Sequence, residues 1–345
     1  MDEKRETTKG NYPLGEPLVS VVIPISGNPS YLETTLDSVR SQTYENYEIL
    51  AILNGAAPWV LDFLLERKKQ DSQLKIIETS ILGISHALNL GIQQAVGEFI
   101  CRIDADDIMT PTRIEFQIKY LLENSQIGLV GSQVRKIDEN GQTIGFSHYP
   151  IKSKSITKNI KIRNCIAHPS VMMRKDLILV VGGYNPSFDG AEDYDLWLRV
   201  DKVSQIANIQ AMLTLYRIWP QQVSQTQVSK SIRAARRARI SNFLEKNPKF
   251  SSVNNEGFSE ILISEISIQS LIRKLLMHKQ IHQIFQILAV EFLNQAIDII
   301  SRGKSNLISK SLGIALVVIA TILNPRKSLE FLFLQISNFW SQSEK

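Results

Sequence analysis

The sequence predicts an α/β protein: a doubly wound, mostly parallel sheet with helices on both faces, followed by a mainly helical C-terminal region. Three observations carry this. Over the first hundred residues four short apolar runs alternate with stretches of helical periodicity, in the order β-α-β-α-β-α-β. The runs are continuous and β-branched, as in strands buried on both faces of a parallel sheet. Past about Gln225 glycines and proline turns thin out, and Ile, Leu, Gln, Ser and Lys dominate. With 345 residues the chain has room for about two domains. Residues 1–17 read as a polar arm, 18–225 as the α/β domain, and 226–345 as a basic helical domain.

The elements follow in order. Leu18–Pro24 is the first buried strand. Asn28-Pro29 opens a helix, with Pro at the first helical position and Leu32, Leu36 and Val39 on its apolar face. Tyr47–Leu53 is the second strand, ended by the turn Asn54-Gly55. Pro58–Lys69 is a helix, Leu74–Glu78 a strand, and Ile84–Val96 a helix with Ile84, Leu88, Gly91 and Ala95 on one face. Glu98–Ile103 is the fourth strand. Thr110-Pro111 caps a further helix with Ile114, Ile118, Leu121 and Leu122 inward. Ile127–Lys136 and His168–Arg174 read as strands, and Val181–Pro186 as a loop. Glu192-Asp193 opens a helix with Leu196, Trp197 and Val200 buried, and Leu213–Arg217 is the last strand of the domain.

Composition is that of a soluble globular chain, 43% apolar and 21% charged. The charged N-terminus, Met1-Asp2-Glu3-Lys4-Arg5-Glu6, lacks an apolar h-region and argues for a cytoplasmic protein. Two cysteines, Cys101 and Cys165, are too few for a disulfide framework and fit no zinc motif. The net charge of +5 is uneven. From Lys230 onward there are 16 Lys and Arg against 8 Asp and Glu, so the body before it is mildly acidic. A basic tail suggests an anionic partner, either a membrane surface or nucleic acid. Arg233, Arg236, Arg237 and Arg239 make it too polar on several sides for a buried helix. Ser311–Leu323 is nearly all apolar but shorter than the roughly 18 residues needed to span a bilayer.

The fourth strand ends in Asp104-Ala105-Asp106-Asp107, three carboxylates within four residues. Burying like charges uncompensated costs several kcal/mol per ion, roughly. A hard divalent cation with oxygen ligands relieves that cost. Ligands in parallel α/β sheets sit at the carboxyl ends of strands, where these residues lie. The competing reading is a solvated acidic turn that caps the next helix. Asp107 is either a helix start or an outer partner of the metal.

Four segments, in order and at matching spacing over residues 18–218, resemble the family 2 glycosyltransferases of the GT-A fold. They are Val21-Val22-Ile23-Pro24 with Leu36–Tyr44 and Tyr47–Leu50; Asn89-Leu90-Gly91-Ile92 with Gly97–Ile100 and Arg102–Asp107, continuing to Pro111, Arg113 and Gln117; His168-Pro169-Ser170-Val171 with Gly182-Gly183-Tyr184; and Ala191–Arg199. The resemblance does not cover the tail. It implies transfer of a sugar, with inversion, from a nucleoside-diphosphate sugar to a hydroxyl of a glycan or lipid-linked acceptor, in cell-surface polysaccharide or glycolipid synthesis.

Asp104-Ala105-Asp106 matches the family's DXD motif: Asp106 would hold Mg²⁺ or Mn²⁺, with Asp104 toward the metal or the donor's ribose. Glu192-Asp193 matches the ED motif, with Asp193 as base. Asp193 as a helix cap alone is the competing reading. Pro24, Ser26, Asn54, Asn89 and Arg217 would line the donor. The chain departs from the family in two places. Leu53-Asn54 stands where relatives often end the second strand in two acidic residues, and Trp219 stands where they often have a His that approaches the metal. Arg217 either neutralises the pyrophosphate or is a structural ion-pair partner, and His168 either contacts a substrate or is structural. Asp195 and Arg199, four apart, read as a surface ion pair. On the resemblance no nucleic-acid partner is expected, and the tail suits peripheral docking at the inner face of the cell membrane. A non-catalytic nucleotide-sugar binder and a metal-dependent phosphodiesterase are the two other functions weighed.

Overall fold

A computed structural model describes residues 15–222 and 226–246. The expectations for the N-terminal arm up to residue 14 and for the tail from residue 247, Ser311–Leu323 included, lie outside the described residues.

The strands are β1 (Val19–Gly27), β2 (Tyr47–Ala56), β3 (Leu74–Thr79), β4 (Phe99–Arg102), β5 (Ile108–Met109), β6 (Ile127–Ile137), β7 (Thr143–Ser147), β8 (Met172–Arg174) and β9 (Gln205–Arg217). The helices are α1 (Leu32–Arg40), α2 (Pro58–Lys68), α3 (Ile84–Gln94), α4 (Arg113–Glu123), α5 (Ser153–Asn159), α6 (Lys175–Val180), α7 (Glu192–Val200) and α8 (Val228–Lys246). One sheet runs β3-β2-β1-β4-β8-β6-β9-β5, and β7 pairs with β6. β1 lies between β2 and β4 and is parallel to both. β8 is antiparallel to β4 and to β6, while β6 and β9 are parallel.

Side-chain alternation along β1 sorts the helices to the two faces. Val19, Val21, Ile23 and Ile25 pack with Leu36 and Val39 of α1, Leu64 of α2 and Ile118 of α4. Val22 joins the opposite core, with Leu88 of α3, Ile178 of α6 and Leu196 and Trp197 of α7. The contact with α3 is close enough to need glycine: a Cβ at Gly91 would lie 2.5 Å from Val22 Cγ1. Cys101 and Cys165 are buried core residues without disulfides.

Several boundaries differ from the sequence expectation. Asn28-Pro29 precedes a turn, and α1 begins only at Leu32. His168–Ser170 forms a 3₁₀ turn, because Pro169 has no N–H to give to a ladder, and the strand is shortened to Met172–Arg174. β9 extends back to Gln205, since its polar Asn208 is buried and its amide donates to Pro150 O at 2.7 Å and Cys165 O at 3.0 Å. α8 is half-buried: Ala234 and Ala238 join the core beside α7, while Arg233 and Arg237 are exposed. The Asp195–Arg199 pair is not a surface pair. Asp195 is buried, and Arg199 grips one carboxylate oxygen at 2.7 and 2.9 Å while donating to Val181 O at 2.6 Å.

Candidate active site

The ladders on the two sides of β4, parallel to β1 and antiparallel to β8, deliver Asp104 to the carboxyl edge. Arg102 N donates to Val171 O at 3.0 Å and Ile103 N to Val22 O at 3.3 Å, after which the chain turns. Asp104, Asp106 and Asp107 each bring one carboxylate oxygen to within 4.8 Å of the others. The reading of this segment as a solvated, helix-capping turn is corrected: Asp107 is fully buried, β5 follows it, and the N-cap of α4 is Thr112.

The three carboxylates are held by different partners. Arg102 grips Asp104 through both Nη atoms, at 2.7 Å to Oδ2 and with a second, shorter bond to Oδ1. Arg217 N donates to Asp107 Oδ1 at 2.8 Å. Asp107 Oδ2 is buried with no hydrogen-bond partner among the described residues. Trp219 Nε1 donates to Asp106 Oδ2 at 2.8 Å. Burial, then the neighbouring Asp104 charge, pushes Asp106 up to about 6, and burial with both neighbouring carboxylates raises Asp107 well above its ordinary value. Among the described residues the cluster's ion pair is Arg102 with Asp104, and neither Asp106 nor Asp107 has one. The oxygen-only donor set and the orphaned Asp107 Oδ2 fit a hard divalent cation.

A second acidic group lies at the start of α7. The N-cap is Ala191, so the reading of Asp193 as the helix cap is corrected; Glu192 and Asp193 occupy the first turn. Asp193 Oδ2 accepts from Asn164 Nδ2 and Oδ1 from Tyr194 N, both at 2.7 Å. Glu192 Oε2 accepts from Gly190 N at 2.7 Å. Burial raises Asp193, and burial together with the Asp193 charge lifts Glu192 to about 7. His168 bridges to this group, its Nε2 2.9 Å from Tyr184 Oη and its Nδ1 3.8 Å from Glu192 Oε1. Burial, then the Arg102 charge, depresses His168 well below its ordinary value, so it is neutral.

Arg102 joins the two groups. Its guanidinium is buried, and its charge opposes the rise that burial imposes on Asp106 and Asp107 on one side and on Glu192 and Asp193 on the other. Sequence reasoning passed over Arg102 as a site residue. The signal was present as a cation two positions before an Asp at a strand end. Asn164 and Tyr31, whose ring lies 4.0 Å beneath the Arg217 guanidinium, left no local signal.

The expected donor residues are placed as follows. Pro24 is buried and Ser26 exposed at the carboxyl end of β1. Asn54 holds the loop before α3, donating to Ile81 O at 2.6 Å and accepting from Gly83 N at 2.9 Å. Asn89 pairs with both backbone groups of Tyr184, at 2.7 and 2.8 Å. That pairing needs Gly183, whose φ is +65° and where a Cβ would sit 2.5 Å from Asn89 Oδ1. Arg217 is buried and donates to the carbonyls of Asp106, Asp138 and Glu139 at 2.9–3.0 Å.

Residues 20–179 match the model of the family "Glycosyl transferase family 2". The O-antigen biosynthesis glycosyltransferase WbnJ of Escherichia coli is 36% identical over 184 residues, 53% of this chain and 71% of that one. The amylovoran biosynthesis glycosyltransferase AmsE of Erwinia amylovora is 30% identical over 191 residues, 55% of this chain and 71% of that one. Among solved structures, S. aureus TarS 1–349 in complex with UDP-GlcNAc superposes with a TM-score of 0.57 at 14% identity, covering 90% of this chain and 82% of that one. That likeness speaks to the fold, and the closer sequence relatives to the family: the chain belongs to the family 2 glycosyltransferases.

Proposed function

We propose that this glycosyltransferase moves a sugar, with inversion, from a nucleoside-diphosphate sugar to an acceptor hydroxyl in the synthesis of a cell-surface polysaccharide or glycolipid. The observation that carries the reading is the pair of acidic groups: Asp104, Asp106 and Asp107, each with a carboxylate oxygen within 4.8 Å of the others, and Glu192-Asp193 in the first turn of α7. One cluster suits the diphosphate end of a donor and the other the attacking hydroxyl. WbnJ and AmsE are named for O-antigen and amylovoran biosynthesis, which supports a polysaccharide product. The TarS structures with UDP and UDP-GlcNAc support a nucleotide-sugar donor.

Asp106, with Asp104, would hold Mg²⁺ or Mn²⁺. When bound, the cation neutralises charge on the leaving diphosphate. Asp193 takes the acceptor's proton as the acceptor oxygen bonds to the anomeric carbon. The bond from that carbon to the diphosphate breaks on the opposite face, and its electron pair leaves with the diphosphate. Asn164 and Tyr194 N–H hold the Asp193 carboxylate for this step. Burial and the Asp193 charge favour the protonated form of Glu192 beside it. Pro24 and Ser26 border the donor's base, while Asn54, Asn89 and Arg217 shape the donor site through the loops they hold.

Two experiments test this. Replacement of Asp106 by Ala is expected to remove divalent-dependent binding of a nucleoside diphosphate. Unchanged affinity and unchanged EDTA sensitivity in titration calorimetry would remove Asp106 as the ligand. A panel of nucleotide sugars with Mn²⁺, scored for slow hydrolysis to free sugar, identifies the donor.

The basic tail is proposed to dock on the cytoplasmic face of an anionic membrane. No helix among the described residues is long and apolar enough to cross one. Each Lys or Arg near an anionic bilayer contributes about 1 kcal/mol. Arg233 and Arg237 are exposed for this role on α8, whose opposite face is committed to the core. The full chain is expected to sediment with phosphatidylserine-containing liposomes at low salt and to be released at high salt. If it stays in the supernatant at low salt, the docking proposal fails.

A further inference from the structure

We infer that Trp219 is a positioning residue for Asp106: its indole N–H fixes the rotation of the carboxylate that takes the divalent cation. The inference rests on the reading of Asp106 as a metal ligand. The bond from Trp219 Nε1 to Asp106 Oδ2 is 2.8 Å. An indole N–H donates only and cannot itself ligate a metal. A donor on a ligating carboxylate sets its orientation, and removing such a donor typically costs 10- to 100-fold in metal affinity.

The indole is itself held. Its ring meets Tyr31 edge-on, with centroids 5.9 Å apart, and Tyr31 in turn packs against the Arg217 guanidinium. The backbone is pinned on both sides: Ile218 N donates to Ile137 O at 2.8 Å before the indole, and Trp219 O accepts from Gln222 N at 3.1 Å after it. Residues 217–219 therefore form a strap over the acidic loop. Arg217 N holds Asp107 Oδ1, Arg217 Nε holds Asp106 O, and Trp219 holds Asp106 Oδ2. Asp104 has a different clamp, Arg102. Without Trp219, the Asp106 carboxylate loses its one side-chain donor among the described residues.

The test is Mn²⁺ binding to the full chain in the presence of UDP, followed by the electron paramagnetic resonance signal of free Mn²⁺. Four proteins are compared: the parent, Trp219→Phe, Trp219→Gln and Asp106→Asn. Phe keeps a ring against Tyr31 and removes the donor, whereas Gln removes the ring and keeps an N–H. The expected result is a 10- to 100-fold weaker Kd for Trp219→Phe, near-parental affinity for Trp219→Gln, and little binding by Asp106→Asn. Parental or tighter binding by Trp219→Phe, with binding lost in Asp106→Asn, overturns the role of Trp219 and leaves Asp106 as ligand. Parental binding by Asp106→Asn overturns the ligand assignment, and the role of Trp219 with it. Should Trp219→Phe not fold, a loss of 10-fold or more in Trp219→Gln overturns the inference and near-parental affinity supports it.

Discussion

Replacing Asp193 with Asn lowers turnover by about 10²-fold or more and leaves the fold intact. General-base catalysis by a positioned side chain is worth typically about 10²–10⁴-fold, and an amide cannot take the proton. Stability responds differently. Burial raises the Asp193 pKa, so its ionised form is disfavoured in the fold. A carboxyl whose folded pKa lies above its unfolded value weakens the fold as pH rises past the unfolded value. Asn removes that penalty at neutral pH but loses one of the two acceptor bonds, from Asn164 or from Tyr194 N–H, worth about 1 kcal/mol. The two effects oppose, and the thermal midpoint is expected to move little. The same raised pKa sets the pH profile. Activity of the parent falls as pH drops through the folded pKa, so its acid limb lies above the range of an ordinary aspartate. The check is nucleoside-diphosphate release across pH, beside thermal melts of both proteins. A parallel loss of midpoint and turnover, with turnover restored on cooling, would show Asp193 to be structural.

How far the sequence could be read depended on whether a signal was local. The first four strands and three helices were legible because each carries its own apolar period, and the structure moves their ends by a few residues. β7 was missed because it is a five-residue edge strand with only two apolar side chains, Ile144 and Phe146, both exposed, and a glycine between them. The first half of β9 was missed because buried Asn208 looks like a loop residue until Pro150 and Cys165 supply its partners. In the site, Asp104, Asp106 and Asp193 were legible because their motifs are contiguous. Their partners were not: Trp219 reaches Asp106 from 113 positions away and Asn164 reaches Asp193 from 29. Asn54 and Asn89 stand at the expected edge of the sheet. That their amides hold a loop and the Tyr184 backbone follows only from the close approach of those segments.

Arg113 shows how the acidic loop is kept in place, and Arg113→Met is expected to cost about 3 kcal/mol of stability. The residue is fully buried on the first turn of α4. Its Nη1 donates to Pro169 O and its Nη2 to Arg102 O, both at 2.7 Å, and its Nε donates to Gln117 Oε1 at 3.0 Å. Gln117 extends the clamp by donating to Ser170 O at 2.7 Å. Burial lowers the Arg113 pKa, yet a guanidinium that starts so high stays charged. Met matches the length of the stem but leaves two backbone carbonyls and one amide oxygen without donors, each costing about 1–3 kcal/mol when buried. Relief from burying the cation returns part of that. For a domain of this size, 3 kcal/mol corresponds to a fall of roughly 6–12 °C in Tm. Arg113→Lys should recover little, because one ammonium cannot serve three acceptors in the plane of a guanidinium fork. The carbonyls affected belong to Arg102, which grips Asp104, and to Pro169, next to His168. Weakened UDP-dependent Mn²⁺ binding should therefore accompany the lost stability even well below Tm. A shift of less than about 1 kcal/mol in urea unfolding, with metal binding intact, would mean that water or a shifted Gln117 replaces the guanidinium and that the clamp is dispensable.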